Sequence, residues 1–225
     1  MKIAMIGGGG VAQTLASAFL AQGHEVVIGI RAVTPEELTK ARNFAKPLAE
    51  WQAETKGRVV TMEEAAAFGT VIFNVTQGAA SIAALKRAGA HLDGKVLVDV
   101  ANPLDFSAGM PAFLARDYAG PTSLGEAIQA AFPKARVVKA FNTIAAAVMV
   151  NPGLIPGTHD LFLAGNDAAA KAEVRALAES LGWRHFTDLG DIAGARASEA
   201  ILPLWLRLWM TGGTPLVNLH VVRGA

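Results

Sequence analysis

Cysteine is absent from the 225 residues. That removes disulfides, thiolate metal ligands and a cysteine nucleophile, and it fits a reducing compartment, with the cytoplasm as the default expectation. Charge is scarce as well. Twenty Lys and Arg stand against 19 Asp and Glu, a formal net charge of +1, and no basic run or RNA-binding aromatic motif stands out. Neither nucleic acid nor a membrane surface is therefore an expected partner. The most apolar late stretch, Ile201 to Met210, contains Pro203 and Arg207. It is about half of the roughly 20 residues that a bilayer span needs, so it reads as a buried helix. The only tyrosine, Tyr118, is followed four residues later by Thr122, so the Tyr-x-x-x-Lys pair of short-chain dehydrogenases is missing. A G-x-S-x-G elbow and a P-loop lysine are also missing. The five histidines (His24, His91, His159, His185, His220) are scattered along the chain, and no pair has metal-ligand spacing, so no metal is expected.

What remains is a globular composition, 52% hydrophobic, long enough for a substantial core. Short β-branched runs alternate with alanine-rich helical patterns: KIAMI, VAQTLASAFLAQG, EVVIG, then a long polar helix beginning near Pro35. This alternation predicts an α/β fold of the Rossmann type, a doubly wound, mostly parallel sheet with a small C-terminal helical extension. Further strands are predicted at Arg58 to Val60, Thr70 to Val75, Lys95 to Val100, Arg136 to Ala140, Asp160 to Ala164 and Arg184 to Thr187. Helices are predicted at Ala79 to Ala88, Leu124 to Ala131 and Ala168 to Leu181, the last closed by Gly182. Thr34, Thr61 and Ser123 each precede a glutamate by three residues and mark helix starts. The stretch from Pro103 to Thr122 reads as a long connection. Residues 1–189 form the nucleotide-binding domain, and 190–225 are its helical extension.

The opening MKIAMIGGGGV imitates a secretion signal, but four glycines interrupt the apolar region, and a patterned helix and strand follow. The alternative is a strand entering a phosphate-binding turn. Gly7-x-Gly9-x-x-Ala12 has the G-x-G-x-x-G/A spacing of dinucleotide-binding turns, which serves a tight turn, close approach of a pyrophosphate, and helix-strand packing. The helix that follows aims free N–H groups and its positive end at the phosphates. Gly7, Gly8, Gly9, Gly10, Val11 and Ala12 are the candidate cofactor turn, with Gly8 and Gly10 in variable places where a side chain is tolerated.

The end of the second strand selects the nucleotide. Gly29-Ile30-Arg31 has no acidic residue before Glu36, so a partner for the 2′-hydroxyl of NAD is missing and arginine is available for the 2′-phosphate of NADP. Ile30, Arg31 and Thr34 are assigned to that end of the cofactor. Three later strand ends carry small or polar residues: Asn74-Val75-Thr76-Gln77-Gly78, Asp99-Val100-Ala101-Asn102-Pro103 and Lys139-Ala140-Phe141-Asn142-Thr143. Ligands of doubly wound sheets collect at such ends. Val75, Thr76, Gln77, Ala101, Asn102, Pro103 and Ala140 are therefore candidate contacts for the nicotinamide half, and Asn74, Asn142 and Thr143 are candidate pocket residues. Side chains suited to proton transfer are few, which favours a hydride passing directly between two stacked rings.

GGGGVAQTLASAFLAQGHEVVIGIR, VLVDVANPLDF, ARVVKAFNTI, FLAGNDAAAKAEVRALAESLGW and ILPLWLRLWM together resemble the NADP oxidoreductases that depend on the deazaflavin coenzyme factor 420, in particular their bacterial branch of dinucleotide-binding oxidoreductases. The resemblance runs from Met1 to about Gly213. It implies NADP in the cleft, a small-molecule redox acceptor as partner, and often a homodimer. By position it implies that Gly7, Gly9, Val11 and Ala12 hold the pyrophosphate, Arg31 the 2′-phosphate, and Thr76, Asn102 and Ala140 the nicotinamide. Two departures fall where the second substrate stacks. Val75-Thr76-Gln77 replaces an Ile-Pro-Trp-like segment, and Asn142 stands where the family has a histidine. The cofactor thus carries over, and the acceptor stays open between deazaflavin, flavin and another small molecule. A non-catalytic NADP sensor and a reductase of the β-hydroxyacid dehydrogenase type are the alternatives; the latter needs a catalytic lysine and a larger helical domain. Ala195 to Met210, with Trp205 and Trp209 four residues apart, serves as core, dimer interface or lid. Arg31→Ala is expected to weaken NADPH binding far more than NADH binding in equilibrium titrations; equal losses would refute the 2′-phosphate assignment.

Overall fold

The computed structural model of the protein describes residues 1–42 and 44–224. Its strands are β1 (Lys2–Ile6), β2 (Glu25–Ile30), β3 (Arg58–Thr61), β4 (Val71–Asn74), β5 (Val96–Asp99), β6 (Leu104–Asp105), β7 (Phe113–Leu114), β8 (Arg136–Ala140), β9 (Leu161–Ala164) and β10 (Phe186–Asp188). Eight of them form one sheet in the order β10-β9-β8-β5-β4-β1-β2-β3, and β6 and β7 pair as a separate hairpin. All neighbours in the large sheet run parallel except β8 and β9. The Rossmann-type expectation holds. The connection from Pro103 to Thr122 is partly ordered by that hairpin.

The helices are α1 (Gly10–Ala21), α2 (Pro35–Thr39), α3 (Leu48–Thr55), α4 (Met62–Phe68), α5 (Ser81–Lys86), α6 (Leu124–Ala131), α7 (Ala146–Val150), α8 (Ala168–Ser180), α9 (Ala195–Ala200) and α10 (Leu202–Gly212). Strand alternation divides the core into two layers. Met5, Ile28, Phe73, Val98 and Val138 face α1, α7 and α8, whereas Ile6, Ile72, Leu97 and Val137 face α4, α5 and α6. The side chains of Thr34, Thr61 and Ser123 accept from the backbone N–H groups of Glu37, Glu64 and Glu126, as the Ser/Thr-x-x-Glu spacing predicts. Gly182, at φ +102°, follows α8 as expected.

The long polar helix near Pro35 is a misreading. α2 stops at Thr39, and the chain resumes helix only at Leu48. Arg42 Nη2 donates to the Glu37 carbonyl at 2.9 Å, and Pro47 disfavours a helical residue before it. Beyond residue 190 the last helix ends at Gly212; residues 214–224 are irregular, and residues 43 and 225 lie outside the described residues.

The strand register creates one polar row in this apolar sheet. Asn74, Asp99 and Lys139 are successive cross-strand partners on β4, β5 and β8, at or beside their carboxyl ends. Each is at most 1% exposed. The Lys139 ammonium donates to Asp99 Oδ2 at 2.8 Å and to the Ala101 carbonyl at 2.6 Å, and it lies 2.8 Å from Glu199 Oε1. Glu199, itself 1% exposed, sits on α9 and accepts the backbone N–H groups of Leu124 and Gly125 at the start of α6. Burial alone pushes the ammonium pKa down, but Asp99 and Glu199 outweigh it and hold the value above its ordinary level. Because the folded value is raised, the stability that this charge contributes is intact below about pH 10.4. It is lost only as pH climbs through the folded value. Removing the cation strands two carboxylates in a dry interior. Lys139→Met should therefore cost about 3–5 kcal/mol in urea unfolding at neutral pH. The double variant Lys139→Met/Glu199→Gln should recover part of that loss; a single variant as stable as the parent would contradict this account.

Candidate active site

β1 and β4 are neighbours, yet the helix after β1 packs on one layer and the helix after β4 on the other. Such a divergence opens a crevice at the carboxyl ends of the strands. Gly7 lines it at φ +119°, a conformation closed to most side chains, and a Cβ there would stand 2.9 Å from the Val75 carbonyl oxygen. Gly9, the cap of α1, would project a Cβ into open space with nothing within 4 Å. A turn that is tight at Gly7 and open at Gly9, ahead of the free N–H groups of a 12-residue helix, is the arrangement that a pyrophosphate needs. Ala12 is fully buried against the sheet, and Val11 is half-buried.

Gly8 and Gly10 are not the tolerant positions that the motif suggests. A Cβ on Gly8 would come within 3.0 Å of the Ile30 and Leu48 side chains, and one on Gly10 within 2.5 Å of the Phe44 carbonyl oxygen. At Gly8 the neighbours are the end of β2 and the first residue of α3; at Gly10 the cause is the segment between α2 and α3, which folds back over the start of α1. Gln13 on α1 holds it there by donating to the Lys46 carbonyl at 2.8 Å.

Arg31 is exposed at the end of β2, and Ile30 is buried. The Thr34 oxygen accepts from Glu37 N at 3.2 Å as the cap of α2, which leaves the hydroxyl proton available to a ligand. The corner between the glycine turn and α2 therefore offers a guanidinium and a hydroxyl donor.

At the other end of the crevice the candidate residues separate into two levels. Thr76 and Asn102 are half-exposed at the rim, and Gln77 is exposed. Asn74 lies beneath them, fully buried. Its amide donates to Asp99 Oδ1 at 2.8 Å and Ser81 Oγ at 3.1 Å, and its oxygen accepts from Thr76 Oγ1 at 2.7 Å. The expectation that Asn74 reaches a ligand is thus corrected, because its hydrogen bonds are spent on neighbours. Asn142, 4% exposed, gives its amide to Asn102 Oδ1 and the Ser198 carbonyl, while Asn102 donates to the Asn142 carbonyl at 2.7 Å. The amide N–H groups of Asn142 are therefore also spent. Thr143, Ala101, Pro103 and Ala140 are buried around this pair, and Val75 is half-buried. The turn after β4 presses tightly on the Asn102-Pro103 backbone: a Cβ on Gly78 would lie 2.2 Å from the Asn102 carbonyl oxygen.

Sequence reading missed three features here. Lys139, Asp99 and Glu199 support the floor of the crevice. Phe141, buried directly after β8, holds φ +64°, a costly value for a bulky residue and one that clusters at functional sites. Three of the scattered histidines meet at the far edge of the sheet. There His220 contacts Asp160, His185 stands edge-on to His220, and His159 bonds to the Pro152 carbonyl and Asn218. No cluster able to hold a metal occurs among the described residues. None of their helices is long and apolar enough to cross a membrane.

Comparison with known proteins supports the same reading. The family model described as NADP oxidoreductase coenzyme F420-dependent matches residues 2–103. The F420-dependent NADP reductase of Methanothermobacter marburgensis is 30% identical over 211 residues, which cover 92% of each chain. Metalloreductase STEAP3 of Rattus norvegicus is 30% identical over 208 residues, and the match spans 91% of this chain but only 38% of that protein. A crystal structure of a candidate F420-dependent NADP reductase from Arthrobacter sp. FB24 superposes with a TM-score of 0.92 at 47% identity, covering 99% of this chain and 100% of the other. The chain belongs to the family of coenzyme F420-dependent NADP oxidoreductases, and it is an NADP-dependent oxidoreductase.

Proposed function

We propose that this enzyme passes a hydride between NADP(H) and a planar redox ring, a deazaflavin or flavin, stacked over the carboxyl ends of β4, β5 and β8. NADP(H) supplies the hydride chemistry when bound. The chain's own residues bind, orient and exclude water. Gly7, Gly9, Val11 and Ala12 cradle the pyrophosphate, with Gly8 and Gly10 shaping the turn. Arg31 and the Thr34 hydroxyl take the 2′-phosphate beside Ile30. Thr76 and Asn102, flanked by Val75, Gln77, Ala101, Pro103 and Ala140, surround the nicotinamide.

One observation carries the choice of acceptor: none of the residues assigned to the crevice is a histidine, a carboxylate, a tyrosine or a lysine. Lys139, the lysine nearest in sequence to the candidate residues, is fully buried and engaged by three acceptors. Asn142 and Asn102 are amides locked on each other. The histidine group belongs to the β9 and β10 edge. Reduction of a ketone or imine calls for a protein acid, and a ring-to-ring hydride does not. An apolar cluster with Leu104, Ala145 and Trp209 as partly exposed members is the candidate shelf for such a ring. Trp205 and Leu206 on α10 pack with Ala112, Leu104, Trp209 and Ala145, close in sequence to Asn102 and Asn142.

Stopped-flow mixing of the NADPH-loaded protein with F420, FMN, a cyclic imine and a β-keto acid tests this. Loss of reduced nicotinamide absorbance is expected with a ring acceptor alone, at a rate nearly flat between about pH 6 and 9. Turnover of the imine or keto acid with a bell-shaped pH profile would overturn it.

The outward face of α10 exposes Leu204, Leu208 and Met210, and we read it as a homodimer surface. Light scattering should give twice the chain mass, and a monomer at micromolar concentration would refute the reading.

A further inference from the structure

The buried polar row has a consequence for the rim of the crevice that rests on the proposed placement of the nicotinamide. Asp99 is a carboxylate that Lys139 and the Ala101 N–H also hold, so it can only accept. The Asn74 side chain 2.8 Å away must therefore turn its NH2 toward Asp99 and its oxygen toward Thr76. That oxygen can also only accept, so at 2.7 Å it claims the single proton of the Thr76 hydroxyl. Ser81 Oγ receives the other Asn74 N–H at 3.1 Å and stands 2.9 Å from Thr76 Oγ1 with its own proton to give. The steps from Asp99 through Asn74 to Thr76 are forced by donor and acceptor type, whereas the Ser81 proton has two acceptors within reach, Thr76 Oγ1 and the Gln77 carbonyl at 3.3 Å. The side chains of Asn74, Ser81, Asp99 and Lys139 are all at most 1% exposed.

We infer that the Lys139 and Asp99 charges act through Asn74 to fix the polarity of Thr76, so that its oxygen meets a ligand as an acceptor only and takes the carboxamide N–H of the nicotinamide. Thr76 is the contact, and Asn74, Asp99 and Lys139 are positioning residues. The Val75-Thr76 backbone borders Gly7, which puts this acceptor next to the glycine turn, on the route from the pyrophosphate to the nicotinamide.

The test uses isothermal titration of the whole protein with three probes: NADP, its 3-acetylpyridine analogue, and 2′,5′-ADP. The analogue replaces the carboxamide NH2 by a methyl group and keeps the carbonyl. The parent protein should prefer NADP over the analogue about tenfold, the cost of leaving a desolvated acceptor unpaired. Thr76→Val should bring the preference close to one, and Thr76→Ser should restore it. Asn74→Leu leaves Thr76 in place but frees its proton to turn outward and donate to the analogue's acetyl oxygen. It should therefore also erase the preference, which a merely structural role for Asn74 would not do. If Asn74→Leu does not fold, Asn74→Ala serves in its place. Binding of 2′,5′-ADP should be unchanged throughout. A preference that survives Thr76→Val or the Asn74 variant, with 2′,5′-ADP still bound normally, overturns the inference and leaves the NADP site standing. Failure of the parent to bind either NADP or 2′,5′-ADP would overturn both.

Discussion

One ammonium group organises the part of the molecule where chemistry is expected. Lys139 lies buried in a sheet, flanked by Val138 and Ala140 along β8 and by Ala164 on β9, and a charge so placed is tolerated only when it is paired and fully hydrogen-bonded. Its three acceptors come from three places: the end of β5, the loop after β5, and α9. The last of these, Glu199, in turn satisfies the first free N–H groups of α6, a carboxylate at a helix N-terminus where its charge is favoured. Moving α9 would uncover Lys139 and the α6 terminus together. The C-terminal segment is thus fixed to the sheet by electrostatics before any apolar contact is counted, and α10 follows α9 directly toward the β6 and β7 hairpin.

The same constraint explains what could be read from sequence and what could not. The glycine turn, Arg31, the three caps and the parallel sheet are written in contiguous residues, because each depends on local backbone geometry or on strand and helix periodicity. The Lys139 cluster joins residues 38 to 75 positions apart. A lysine within VVKAF or an aspartate within VLVDV reads locally as a strand end facing water. A usable signal did exist. Two opposite charges inside the apolar runs of neighbouring parallel strands, which are buried on both faces, need each other. Register then decides that they meet, and register is a property of the whole sheet.

Asn74 and Gly10 show a second limit. Asn74 has the residue type of a ligand contact and sits at the end of the right strand, yet strand parity turns it to the α5 side. There Ser81 and Asp99 claim it before any ligand can. Gly10 stands in a place where the turn motif admits a side chain, but the segment between α2 and α3 folds over it and leaves no room. That segment was expected to be helix. The error about Gly10 and the error about α2 are therefore one error, and its origin lies in tertiary contacts: Arg42 taking the Glu37 carbonyl and Gln13 taking the Lys46 carbonyl.

These features divide the work of the site between two kinds of structure. In the proposed placement the phosphate end is built from backbone geometry and one exposed cation, Arg31, suited to a group that many enzymes share. In that placement the nicotinamide end rests on a charge-locked floor, and its rim residues Thr76 and Asn102 do not titrate. A floor of that kind suits a reaction in which the two reactants bring their own chemistry and the protein must only hold two rings at a fixed separation, because locked amides and hydroxyls lose little entropy on binding and present one polarity. It suits poorly a reaction that needs a side chain to give up and recover a proton in each turnover, since Asn74, Asp99, Lys139 and Asn142 already have partners they would have to abandon. In the proposed reaction the fit of the acceptor would then rest on the partly exposed members of the apolar cluster, Leu104, Ala145 and Trp209. Part of that cluster is carried by α10, which follows directly on the α9 that Lys139 holds in place.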